Sequence, residues 1–390
     1  MTSVYYKGKE FEVKDGKLKI LRCQNLKLTQ IEDIDVISNI RELILWKCSL
    51  INFNGLERFH NVEHLELSNN EIIALTRLEK LTKLTQLDLS SNNILKIPSI
   101  TSLKNLQDLD VSRNQVSKIE GLKDLINLTS LHLNHNNLSE IEGLEDLPHL
   151  EYLNLSNNQI SEIKGLEHLK NLKVVNLSNN KITEIDGLKN LINLKTLCLN
   201  DNQITEIKGL ENNKKLDHLE FSNNNITEIS GLDGLPILEQ LYLDNNKISE
   251  LKGLDNVSNL KLLQLKYNNI SEIKSIDSLT NLEELYLSHN HLKELKGLDN
   301  MESLQALILN YNEISEIKNF SNLKNLEELY LDGNQISQIK GLENLVNLRK
   351  LSLWENKLPS EVLDKFRRID ENEIIAQKVV NYCRKRKNAI

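Results

Sequence analysis

Three groups of side chains in this 390-residue chain have types and spacings that could do chemistry. His60, Glu63 and His64 fit H-x-x-E-H, a pattern that binds zinc when a helix brings both imidazoles to one face. The residues after His60 read as a strand that carries His64 while His60 precedes it, so the two rings diverge and no metal site is expected. Glu66, Asp88 and Asp110 recur at one phase with Asp108 beside them, and such an acidic row could steer a basic segment. His132 follows in the same row and would make that end pH-sensitive. Six of the nine tyrosines, Tyr152, Tyr242, Tyr267, Tyr286, Tyr311 and Tyr330, fall on or beside the same phase. Five of them share the C-terminal half with Leu262, Ile308 and Trp354. Exposed rings of this kind are common anchors of protein interfaces. His289 and His291 have no cysteine or carboxylate at ligand spacing and read as polar surface. Neither G-x-x-x-x-G-K-[ST] nor G-x-G-x-x-G occurs. No catalytic residue, metal or cofactor is therefore expected, and the chain reads as non-enzymatic.

The elements that must position these residues are written in a repeat. Asparagine recurs every 22 residues from Asn70 to Asn356, fourteen times, with Cys48 in the slot before. In the unit 150–165, Leu150, Leu153, Leu155, Asn158 and Ile160 fit L-x-x-L-x-L-x-x-N-x-L, the leucine-rich-repeat pattern. Leu153 and Leu155 lie two apart, so both face one side of a strand, the core side. The residue between them faces the opposite, concave side, and that row holds Glu66, Asp88, Asp110, His132, Tyr242, Tyr286, Ile308 and Tyr330. Tyr152 stands in the row two residues earlier, and Trp354 two residues later. The asparagine amide has donors and an acceptor to satisfy buried backbone groups of neighbouring coils. Glycine follows seven residues later in ten units, as at Gly165, and implies a tight bend or positive φ. Arg77, Ser99, Ser275 and Asn319 replace it elsewhere and mark expected irregularities, Ser99 above all because Pro98 precedes it.

The expected architecture is an α/β solenoid, a right-handed leucine-rich-repeat horseshoe with a parallel concave β-sheet. Residues 1–39 read as an N-terminal β cap and degenerate capping repeat, with Lys7-Gly8 and Asp15-Gly16 as turns. Residues 40–358 hold fifteen repeats. Residues 359–390 read as a C-terminal helical cap and basic tail, with Ser360 as N-cap and capping-box spacing at Asp370 to Glu373. There Ile374, Ile375, Val379, Val380 and Tyr382 form a stripe near helical period. Net charge is −8, which does not favour nucleic acid, and no 18-residue apolar run crosses a membrane. Met1 to Lys19 lacks an apolar signal core, and four scattered cysteines fit a reducing compartment. A cytoplasmic monomer is expected.

With I-x-x-I-x-G-L after the asparagine, residues 40–358 resemble the leucine-rich-repeat regulatory subunit of protein phosphatase 1. Dynein light chain, tubulin-folding cofactor, spliceosomal and internalin proteins share the repeat type. In the phosphatase subunit, acidic and aromatic residues of the concave face grip the catalytic subunit, and the matching slots here are Glu66, Asp88, Asp110, Glu220, Tyr242, Tyr286, Tyr330 and Trp354. That family has about twelve repeats and another C-terminal cap. Internalins add a signal peptide and an immunoglobulin-like region. The expected function is a scaffold binding a protein partner on its concave face, or alternatively the regulatory subunit of a phosphatase or a regulator of a small GTPase.

Overall fold

The computed structural model describes residues 2–366 and 374–387. The chain is a parallel-strand solenoid with little helix, divided into two compact units: Met1–Ile182 with Asp186–Leu194, and Thr183–Ile185 with Lys195–Ile390.

In the first unit, β1 (Thr2–Tyr6), β2 (Lys9–Lys14) and β3 (Lys17–Leu21) form an antiparallel meander. Lys7 and Gly8, then Asp15 and Gly16, all have positive φ. Two-residue loops of this kind match the twist of the flanking strands. β3 pairs in parallel with β4 (Glu42–Trp46). Three-residue strands then follow at the repeat period: β5 (His64–Glu66), β6 (Gln86–Asp88), β7 (Asp108–Asp110), β8 (Ser130–His132), β9 (Tyr152–Asn154) and β10 (Val174–Asn176). Each pairs in register with the next. The strands are short because the chain turns three residues beyond each, through a left-handed residue such as Asn69, Ser91 or Asn157.

The second unit repeats the scheme in β11 (Thr196–Cys198), β12 (His218–Glu220), β13 (Gln240–Tyr242), β14 (Leu262–Gln264), β15 (Glu284–Tyr286), β16 (Ala306–Ile308), β17 (Glu328–Tyr330) and β18 (Lys350–Ser352). Helix in the described residues is confined to α1 (Ile34–Ile37), α2 (Ser360–Asp364) and α3 (Ala376–Lys387), apart from three short 3-10 turns. Ile374 and Ile375 do not open a helix as their spacing implied. They form β19, antiparallel to β18. β-Branched residues suit a strand, and β18 offers an edge that needs covering. Val379, Val380 and Cys383 of α3 are buried, Arg384 Nε donates to Glu343 O at 2.8 Å, and Lys387 lies 3.1 Å from the Glu343 carboxylate. The capping-box spacing at Asp370 to Glu373 lies outside the described residues.

The core is a stack of leucines. The central residue of each three-residue strand is at most 5% exposed, and the substitutions Val111, Val175 and Phe221 are fully buried. Each buried aliphatic side chain contributes about 1.5–3 kcal/mol. The asparagines hold one coil to the next. Asn246 Oδ1 accepts from Ile226 N–H at 3.0 Å, and its Nδ2 donates to Phe221 O at 2.9 Å and Leu243 O at 3.2 Å. A second, outer ladder was not foreseen: Asn105, Asn127 and Asn171 in one unit, and Asn259, Asn281 and Asn325 in the other, donate to carbonyls 23 residues back. Of the residues replacing the repeat glycine, Arg77, Ser275 and Asn319 keep its positive φ, while Ser99 after Pro98 does not.

Candidate interaction face

The outer residues of each three-residue strand flank a buried leucine or valine, so they stand on the face away from the core. Most are half-buried, because neighbours on adjacent strands lie about 4.8 Å away and shield them.

In the first unit this face carries an acidic hollow of about 300 Å³, lined by His64, Glu66, Gln86, Asp88, Asp108, Asp110 and His132. Register pairs Glu66 with Asp88 and Asp88 with Asp110. Asp88 Oδ1 accepts from Ser90 N–H at 2.8 Å, and Asp110 Oδ1 from Ser112 N–H at 2.7 Å. Burial raises the Asp88 pKa above the usual carboxylate value, with Asp110 adding to the rise. Asp108 Oδ1 has no hydrogen-bond partner, and His132 Nε2 stands 3.9 Å from it. The Tyr152 ring packs on His132 at 4.8 Å between centroids. His60 sits in the turn before β5, with His64 on the strand.

A raised carboxylate pKa means the folded chain holds its proton more tightly than the unfolded one. Stability therefore falls as pH rises from the unfolded value through the folded one. Asp88→Asn removes this loss and retains an oxygen for Ser90 N–H. Thermal melts between about pH 4 and pH 7 should show the variant gaining on wild type as pH rises. A gap that stays constant over that range would contradict this account.

In the second unit, Tyr286, Ile308 and Tyr330 are register neighbours on β15, β16 and β17. Tyr242 lies on β13, separated from Tyr286 by Gln264. The Tyr242 hydroxyl donates to Gln240 Oε1 at 3.1 Å and the Tyr286 hydroxyl to Glu284 Oε2 at 2.6 Å. These bonds lay the rings along the sheet. Burial raises the Tyr286 phenol pKa, and its bond to Glu284 raises it further. Lys266 Nζ stands 4.6 Å from the Tyr286 ring centre. Trp354 is half-buried just past β18, and its backbone N–H donates to Asp332 Oδ1 at 2.7 Å.

Tyr267 and Tyr311 are placed differently from the other tyrosines. They occupy the left-handed turn beyond the strands, at φ 56° and 54°, and are 50% and 45% exposed. His289, at φ 57° in the repeat between them, lies flat between the two rings, 4.1 and 4.5 Å from their centroids. The next slot is Gly333, where a Cβ would stand 2.4 Å from the Tyr311 ring.

Profiles described as "Leucine Rich repeats (2 copies)" match residues 60–101, 82–124, 126–168, 170–212, 214–256, 302–344 and 324–365, and "Leucine rich repeat" matches 252–292. The chain belongs to the leucine-rich-repeat family. Such repeats are generally non-enzymatic interaction scaffolds. No curated protein matches the chain. Among solved structures it is similar to a leucine-rich-repeat protein of Leptospira interrogans, with 26% identity, TM-score 0.77, and 90% of this chain and 96% of that one covered. It is similar also to an internalin, InlF, of Listeria monocytogenes, with 27% identity, TM-score 0.67, and coverage of 84% and 91%. A third is the ectodomain of the Arabidopsis thaliana receptor kinase GASSHO1/SCHENGEN3 in complex with CASPARIAN STRIP INTEGRITY FACTOR 2, with 25% identity, TM-score 0.61, and coverage of 84% and 44%. No helix among the described residues is long and apolar enough to cross a membrane.

The leucine-rich-repeat register joins residues that local motif reading passes over. His289 is one, and the signal was an aromatic or imidazole ring at 267, 289 and 311, one period apart. The other case is Cys198, His218 and Glu220. Cys198 and Glu220 are register partners on β11 and β12, and His218 shares a strand face with Glu220. Their ligand atoms lie within 4.8 Å of one another. His218 Nε2 is 2.7 Å from Glu220 Oε1, and Nδ1 is 2.9 Å from Gln240 Oε1. Glu220 raises the His218 pKa, and His218 in turn lowers that of Glu220. Burial, reinforced by Glu220, pushes the Cys198 thiol to about 12.

Proposed function

We propose that this chain is a non-enzymatic scaffold that binds a protein partner on the concave face of its sheet. The observation that carries the reading is the row Tyr286–Ile308–Tyr330 on adjacent strands of a face whose core is already filled by leucines. Within the second unit Tyr242 and Trp354 extend the apolar contact and the exposed Tyr267–His289–Tyr311 stack borders it, while in the first unit Tyr152 adds a ring packed on His132. Glu66, Asp88, Asp110 and His132 steer a basic element of the partner. The family supports the class of function, and the plant receptor ectodomain, similar in fold, was solved in complex with CASPARIAN STRIP INTEGRITY FACTOR 2. Residues 2–39 and the described parts of the C-terminal segment, 359–366 and 374–387, cap the array, and four cysteines without disulfides suit the cytoplasm. Control of a phosphatase or small GTPase is a second reading, favoured by acidic and aromatic residues in the slots that serve the phosphatase subunit. The two readings part when the partner's own activity is assayed with and without this chain.

The test is affinity capture with wild type and Tyr286→Ala/Tyr330→Ala/Trp354→Ala, after circular dichroism has shown equal folding. A protein captured by wild type should bind the variant more than about tenfold more weakly, since interface anchors of this kind contribute about 2 kcal/mol each. Equal affinities would remove the aromatic row from the binding site.

A further inference from the structure

We propose that Cys198, His218 and Glu220 form a binding site for one divalent transition-metal ion, best suited to zinc, with a fourth position left to water on the solvent side of the sheet.

Three ligand types converge: a thiol, an imidazole and a carboxylate, all within 4.8 Å. Zinc bonds of about 2.0–2.3 Å in a tetrahedron place ligand atoms about 3.5 Å apart. Small side-chain rotations reach that separation, because the two strands already fix the Cα positions in register. Thiolate and carboxylate together neutralise a divalent charge, and the mixed sulfur, nitrogen and oxygen set favours zinc over calcium or magnesium. Loading expels the thiol proton and any proton on His218 Nε2 into solvent.

The outer partners are also in place. Gln240 Oε1 faces His218 Nδ1 at 2.9 Å and would hold the proton there, leaving Nε2 for the metal. Asn200 Nδ2 donates to Glu220 Oε2, and Asn200 is itself oriented by Ser222 N–H, 2.8 Å from its Oδ1. The Tyr242 ring packs against His218 at 5.2 Å between centroids. His218 and Glu220 side chains are 23% and 27% exposed, so the site is shielded but open to an entering ion. None of this requires a protein partner.

The full chain, reduced and stripped with a chelator, is titrated with Co(II) as an optical probe and then with zinc in competition. The expected result is one equivalent of Co(II) per chain, a thiolate-to-cobalt charge-transfer band, and its loss on adding zinc. Cys198→Ser should abolish the band while the circular dichroism spectrum stays that of wild type. Gln240→Ala, which leaves all three ligands, should weaken affinity about 10–100-fold. A wild-type chain without the band overturns the proposal. So does a band that survives Cys198→Ser, since it would then come from Cys23, Cys48 or Cys383. Unchanged affinity in both Glu220→Gln and His218→Gln would overturn it equally.

Discussion

Replacing Asn246 by alanine should destabilise the second unit by about 2–6 kcal/mol. The carbonyl side of the ladder is doubly held: Phe221 O accepts from Asn224 and Asn246, and Leu243 O from Asn246 and Asn268. Each keeps a partner when Asn246 is cut back. The amide side has no such reserve. Ile226 N–H donates to Asn246 Oδ1, and Ile226 is fully buried. An orphaned buried donor costs about 1–3 kcal/mol, and two lost bonds add about 0.5–1.5 kcal/mol each. Urea unfolding followed by circular dichroism, with exposed Gln203→Ala as reference, reads the difference. The reference should stay within about 0.5 kcal/mol of wild type. An Asn246→Ala variant as stable as that reference would mean the ladder only fills space.

This ladder also marks how far the sequence could be read. The period of the asparagines and leucines located every strand from β5 to β18, because one fixed slot must be buried and its partner must satisfy backbone groups. That reading needed no tertiary detail. Ile374 and Ile375 went the other way for a tertiary reason: the free edge of β18 is absent from any local pattern, and it draws the pair into β19. The rows of the sheet face were legible as rows, so Tyr286, Ile308 and Tyr330 were placed together. What a row does not display is contact between rows. Cys198 and Glu220 stood side by side in one row and His218 in another, and only the register and strand face bring three ligand types to one point. The Tyr267–His289–Tyr311 stack was hidden for a related reason, since its residues lie in the turn and only ring geometry shows that His289 completes it.

Gly165→Ala should cost at least about 2 kcal/mol, and Gly8→Ala only about 1 kcal/mol, although both glycines belong to the first unit and have nearly equal φ, 80° and 75°. The left-handed backbone penalty is common to the two. The surroundings differ. A Cβ at Gly165 would stand 2.0 Å from Ile141 O in the preceding coil, whereas one at Gly8 meets nothing within 4 Å. Backbone cannot rotate aside as a side chain can, so relief at Gly165 requires two coils to part and strains the Asn158 and Asn180 bonds nearby. Arg77 and Ser275 show that the slot can carry a side chain where the coil has been set for it. Ser275→Gly should therefore be neutral or stabilising, releasing the left-handed penalty with no contact to restore. Denaturant midpoints for these three variants decide the matter. If Gly165→Ala costs no more than Gly8→Ala, coil spacing yields freely, and the glycine column serves φ alone.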